Sequence, residues 1–160
     1  QRTIFQIMSA PISKDEHICE SDFFDHWFTK SIANYVSKDV NRDELIARFK
    51  IWLEMFGSCK FDEKNASFIL YKGFHESYFK QKYVDFMKQL RELKKVSLQE
   101  FCHDGILVSG LLSNLQSTVT EIYDDYVSPD EFDPIPMDEF FRTAEINKPY
   151  FIGGVLGSNC

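Results

Sequence analysis

The stretch from Cys59 to Lys95 limits what this chain can fold into more than any other part of it. Cys59 to Glu63 and Ser67 to Tyr71 are two short runs of strand composition joined across Lys64-Asn65. So short a link leaves no room for a crossover, and the two runs are expected to form an antiparallel hairpin. Gly73 then releases the chain into a helical pattern from about His75 to Lys95, with Phe79, Tyr83, Phe86, Met87, Leu90 and Leu93 on one stripe. The spacing predicts a helix that buries this stripe as the central packing element of the fold.

A second helix is predicted over Asn41 to Phe56. Asn41 can accept from the free N–H groups of the first turn, Glu44 stands three residues later as a capping-box partner, and Gly57 suits a left-handed stop. Its apolar face, Leu45, Ile46, Phe49, Trp52, Leu53 and Phe56, is expected to lie against the Cys59–Lys95 unit. Ser97-Leu98-Gln99-Glu100 reads as a capping box that opens a further helix, broken near Gly105. Helical spacing then resumes over about 106 to 124, where Thr118, Val119, Thr120 and Ile122 fit a strand as well. Other expected helices are Phe23 to Val36 and about Met137 to Ala144. Thr3 to Ser9, stopped by Pro11, reads as a short edge strand, and Tyr150 to Ile152 as a last strand before Gly153-Gly154, where a bend or a close backbone approach is expected.

The sum is a single α+β domain over 1–160, with four to six helices packed on a small antiparallel sheet made of the hairpin at about 59–72 and the two terminal strands. Sixteen Phe in 160 residues are enough to build most of a core. Residues 1–7 precede Met8-Ser9-Ala10-Pro11, an ordinary start, so they read either as that edge strand or as a remnant added or left by processing. No run approaches 18 apolar residues, and no membrane span is expected.

Charge carries the functional reading. The chain is net −7, yet residues 72–96 hold seven basic and three acidic side chains, while residues 97–160 hold two basic and eleven acidic ones. Pairing of the basic helix with the acidic half is expected in preference to nucleic-acid contact, since a chain with pI near 5.1 repels a phosphate backbone. From Glu121 to Glu139 there are eight carboxylates and no Lys or Arg, with aromatics interleaved. The tract lacks the order and the glycine of an EF-hand loop. Besides a plain solvated face, it suits a surface that docks on a basic protein by complementarity. The residues assigned to that contact are Glu121, Asp124, Asp125, Tyr126, Asp130, Glu131, Phe132 and Asp133.

Catalytic signatures are missing: there is no phosphate-binding glycine loop, no H-E-x-x-H and no G-x-S-x-G. Cys19, Cys59, Cys102 and Cys160 are too scattered for a zinc site, and reduced thiols in a cytoplasmic protein are expected. Cys102-His103-Asp104 offers a nucleophile, a base and a carboxylate, but consecutive residues of a helix point apart and cannot relay a proton among themselves. His26 and His75 read as hydrogen-bonded structural residues, and Asp15, Glu16 and His17, being adjacent, cannot by themselves surround a metal ion. No cofactor and no metal are expected. The reading is therefore a non-enzymatic acidic binding module, in physical type an immunity or inhibitor protein that neutralises a basic, nucleic-acid-acting toxin or enzyme through its C-terminal face. The alternative is a small enzyme with a dispersed Cys/His site that uses Cys102 or His103.

Overall fold

Two strands far apart in sequence form the centre of the molecule. In the computed structural model, which describes residues 2–121, 124–130 and 133–159, β1 (Arg2–Met8) pairs antiparallel with β7 (Pro149–Asn159), from Arg2↔Ser158 to Met8↔Phe151. Between them in the chain come α1 (Trp27–Ser31), β2 (Tyr35–Ser37), α2 (Arg42–Glu54), β3 (Cys59–Asp62), β4 (Ser67–Leu70), α3 (Phe74–Lys94), α4 (Leu98–His103), α5 (Gly105–Val119), β5 (Tyr126–Ser128), β6 (Ile135–Pro136) and α6 (Met137–Thr143). The strand order is β3-β4-β7-β1-β5-β6, with β2 on the far end of β7. The class is α+β as expected, but the sheet is larger than expected and mixed: β1 and β5 run parallel.

β1 is a central strand, not the edge strand its sequence suggested. Ile4, Phe5, Gln6 and Ile7 are all buried because both faces of the sheet are covered. Phe5 and Ile7 enter the main core with Phe49, Leu53, Phe68, Phe74 and Phe141. Ile4, on the opposite face, joins Phe28, Tyr126 and Leu156. Nine of the fifteen phenylalanines among the described residues are buried, each contributing roughly 1.5–3 kcal/mol from burial before ordering is counted.

The C-terminal strand is much longer than three residues and runs straight through its glycines. Phe5 faces Val155 while Ile7 faces Ile152, so Gly153 and Gly154 together stand opposite Gln6 as a β-bulge. Gln6 is buried and fully engaged there. Its Oε1 accepts from Gly154 N at 2.8 Å and Ile18 N at 3.1 Å, and its Nε2 donates to Glu16 O at 3.0 Å. A β-carbon on Gly154 would come within 2.9 Å of the Ile18 backbone, so the glycine is what lets the 14–18 segment lie on the sheet. Arg42, at the start of α2, donates to the carbonyls of Gly153 and Ile152 at 2.7 and 3.0 Å, fixing that helix over the same bulge.

Local signals were followed closely elsewhere. The Asn41 side chain caps α2 by accepting from Glu44 N at 3.2 Å, and Gly57 takes φ +68 after the helix ends. The return bond from Glu44 does not form among the described residues. The 59–72 hairpin pairs Phe61 with Phe68. Ser97 and Glu100 form the capping box of α4, and Asp104 rather than Gly105 separates α4 from α5. The 106–124 pattern stops as helix at Val119 and becomes strand at Tyr126. Of the span Phe23 to Val36 only Trp27–Ser31 is α-helical; Phe23 ends a 3-10 turn that begins at Glu20, and Tyr35 already belongs to β2.

The largest departure concerns α3. Only Phe74 and Tyr78, in its first turns, are buried. Beyond Tyr78 the helix runs on for sixteen residues, about 24 Å at 1.5 Å per residue, and packs on α5 instead of the core. Neither α4 nor α5 has a fully buried residue. These three helices form an arm that is rooted in the body at Tyr78 and braced by Arg142. The Arg142 guanidinium lies 5.0 Å over the Phe79 ring and donates to the Val119 carbonyl.

Candidate functional site

The acidic tract divides into an inward and an outward half. Tyr126 is 1% exposed and stacks edge-on against Phe28 at 4.8 Å. It is a core residue, and its expected part in a partner contact is corrected accordingly: β5 is buried along its whole length, so the ring has no path to a partner. Asp125 is half-buried and accepts from Thr3 N at 2.7 Å, while Asp124 accepts from the Asp125 amide at 2.8 Å. Burial pushes both carboxyls above the ordinary carboxylate value. For Asp125 the Thr3 amide and the cations Arg48 and Arg2 oppose that push, and for Asp124 the Asp125 amide does. Glu121 is half-buried. Asp130 and Asp133 are exposed, and Asp133 accepts from Trp27 Nε1 at 3.1 Å and lies 3.3 Å from His26 Nε2. Glu131 and Phe132 lie outside the described residues.

Asp138, from the same tract, is 1% exposed at the start of α6. The Tyr78 hydroxyl donates to its Oδ1 at 2.8 Å, and the Lys82 ammonium stands 2.8 Å from Oδ2 without a well-aligned hydrogen bond. Burial, with Asp138 beside it, drives the Tyr78 phenol far above its ordinary value and keeps the hydroxyl a donor. Among the described residues, the expected pairing of the basic helix with the acidic half is therefore made at one position, Lys82. Lys95, by contrast, pairs within α3, with Glu92.

Lys82 also borders a cleft of about 640 Å³ between α2, α3 and the segment before β5, a size that suits a small molecule. Helix α2 supplies Arg48, Phe49 and Trp52 to its wall, and Phe56, in the turn just after the helix, continues the four-residue spacing of Arg48 and Trp52. Helix α3 supplies Tyr78, Gln81 and Lys82, β1 supplies Arg2 and Thr3, and Asp124 and Asp125 close the side. Trp52 meets Tyr78 edge-on at 5.8 Å and Phe56 meets it at 4.8 Å, giving the cleft an aromatic floor. Sequence reading found the aromatic stripe of α2 but not the cleft, because its charged groups come from four separated segments. The ionisable groups among the described residues that line it are Arg2, Arg48, Tyr78, Lys82, Asp124 and Asp125.

The arm presents the third notable surface. Seven of the thirteen large apolar side chains left exposed among the described residues belong to it: Tyr83, Val84, Leu98, Phe101, Ile106, Leu112 and Val119. Leu98, Phe101 and Ile106 are 79%, 67% and 89% exposed, and α5 carries no charged residue from Gly105 to Val119. Cys102 and His103 sit exposed on α4, and neither has a hydrogen-bond partner among the described residues. No group of three or more His, Cys, Asp or Glu side chains suited to a metal ion occurs among the described residues, and none of the described helices is long and apolar enough to cross a membrane. Comparison with protein-family models, with curated proteins and with solved structures finds no match.

Proposed function

We propose that this chain is a non-enzymatic protein-binding module whose contact surface is the outer side of the α3–α5 arm. The observation that carries the reading is the exposure of Leu98, Phe101, Ile106 and Leu112 on one projecting unit, since apolar side chains concentrated on one exposed element mark interaction sites. The acidic remainder of the molecule favours a basic partner. The two groups act differently: the apolar arm supplies buried contact area and hence a slow off-rate, while Asp130, Asp133 and the rest of the negative body supply attraction at a distance. An inhibitor or immunity protein that occludes a nucleic-acid-acting enzyme or toxin is the form of module that combines both.

The test is capture of a partner from the native cell by the wild-type chain, by Ile106→Glu/Leu112→Glu and by Asp130→Lys/Asp133→Lys, each checked for folding by circular dichroism. Both arm positions are more than half exposed, so the first pair is expected to fold and to lose the partner at every salt concentration. The second pair is expected to keep it at low salt with slower association. Failure to capture any partner, or retention of the same partner by the arm variant, overturns the reading.

A further inference from the structure

The cleft between α2 and α3 lies on the body, apart from the outer side of the arm, and its lining points to a different ligand. Charges of both signs line the cavity beside its aromatic floor, and among the described residues neither Arg48 nor Lys82 makes an ion pair within 4.0 Å with Asp124 or Asp125, although the fields of Lys82 and Arg48 reach them. Arg48 has no hydrogen bond and no ion pair within 4.0 Å among the described residues, although its field reaches Asp125. Asp124 uses Oδ1 to hold the Asp125 amide, while its Oδ2 has no partner among the described residues. Lys82 is already committed to Asp138. A purely cationic ligand placed here would meet Arg48 and Lys82, and a purely anionic one would meet the two carboxylates. A ligand with one group of each sign satisfies both walls, and its body would rest on Trp52 and Phe56.

We propose that the cleft binds a small zwitterion with an aromatic or apolar body, an α-amino acid or short peptide, with the ligand ammonium at Asp124, the carboxylate at Arg48 and the side chain on the Trp52–Phe56 floor. The Asp124 carboxylate gains a charge-assisted donor for the oxygen that lacks one, and the Arg48 guanidinium gains an acceptor suited to its planar fork. The volume exceeds that of a single amino acid, so two sources share this chemistry: a free amino acid and the end of a short peptide.

The chain has two tryptophans, and Trp27→Phe leaves Trp52 as the only reporter. In that background the fluorescence of Trp52 is titrated with phenylalanine, phenylalanyl-phenylalanine, phenethylamine and 3-phenylpropionate. At least one zwitterion is expected to bind about tenfold or more tighter than either single-charge analogue, the loss expected for a missing charge-assisted bond. The tighter of the two zwitterions identifies the source. Asp124→Asn is expected to weaken the zwitterion about tenfold and to leave 3-phenylpropionate unchanged, and Arg48→Met is expected to weaken the zwitterion and 3-phenylpropionate but not phenethylamine. No saturable response to either zwitterion, or an analogue of one sign binding as tightly as the zwitterions, overturns the assignment. Neither result bears on partner capture by the arm, so the two proposals fail separately.

Discussion

Replacing Lys82 by Met removes the only cation, among the described residues, within 4.0 Å of a carboxylate that is 1% exposed. Breaking a fully buried ion pair from one side costs about 3–5 kcal/mol, because the remaining charge is left without a counterion. Here the Lys82 side chain keeps 32% of its exposure and an open cleft adjoins it, so solvent screens part of the pair and can follow the lysine out. A loss of about 2–3 kcal/mol is the expectation after that discount, equivalent to a fall of roughly 5–10 °C in Tm for a domain of this size. Asp138→Asn keeps an acceptor for the Tyr78 hydroxyl and strands only the partly exposed ammonium, so it is expected to cost about 1 kcal/mol. The decisive comparison is the double variant Lys82→Met/Asp138→Asn. With no charge left to strand, it is expected to be more stable than Lys82→Met alone, so the second substitution restores stability. Urea unfolding at neutral pH, with the slope m unchanged across the set, measures all four proteins. A double variant less stable than Lys82→Met, or a Lys82→Met loss under about 0.5 kcal/mol, refutes the view that this buried carboxylate depends on its lysine.

Three further substitutions have outcomes set by their surroundings. Burial raises the Asp124 carboxyl above its ordinary value of 3.8, so between the unfolded and folded values the folded chain holds more protons, and stability from this group is lost as pH rises through that window. Asp124→Asn is therefore expected to raise Tm relative to wild type near pH 7 and to lose that advantage as pH falls toward 4; an advantage that grows on acidification contradicts it. At the bulge, Gly154→Ala forces the Ile18 backbone aside and is expected to cost about 1–3 kcal/mol. Gly110→Ala, into open space within α5, is expected to stabilise by roughly 0.5–1 kcal/mol, and thermal unfolding of the two variants shows opposite signs if both accounts hold.

The elements that could be read from sequence are those whose determinants are local. The 59–72 hairpin, the Asn41 cap, the Ser97 capping box and the helix after Pro136 depend on residues within a few positions of one another. The centre of the sheet does not. Nothing near Thr3 announces that Pro149–Asn159 will cover one edge of β1 and Tyr126–Ser128 the other, and the Gly153-Gly154 pair looks like an end until Gln6 is placed against it. The α3 stripe was legible as one helix face, but an amphipathic pattern names neither its partner nor its depth: the helix packs on α5, and none of Phe79, Tyr83, Phe86, Met87, Leu90 and Leu93 is fully buried. The acidic tract failed as a uniform surface for a related reason. Asp130 and Asp138 are the same residue type eight positions apart, and only the surrounding elements decide that one faces water while the other is enclosed by Tyr78 and Lys82. The cleft was invisible because Arg48, Lys82 and Asp124 converge from three segments.

The ladder between β1 and β7 also sets an order of events. Its pairs, Arg2 with Ser158 through Met8 with Phe151, join residues separated by roughly 140 to 160 positions, so forming them closes the largest loops in the chain, and closure entropy grows with that length. The β3–β4 hairpin and α2 close over short spans and can assemble early. The middle of this sheet must then be its slowest part to form, with high contact order at the point where most sheets are built first. Until β7 arrives, β4 and β1 each present an unpaired apolar edge, and that interval is when the protein is most exposed to pairing with another chain.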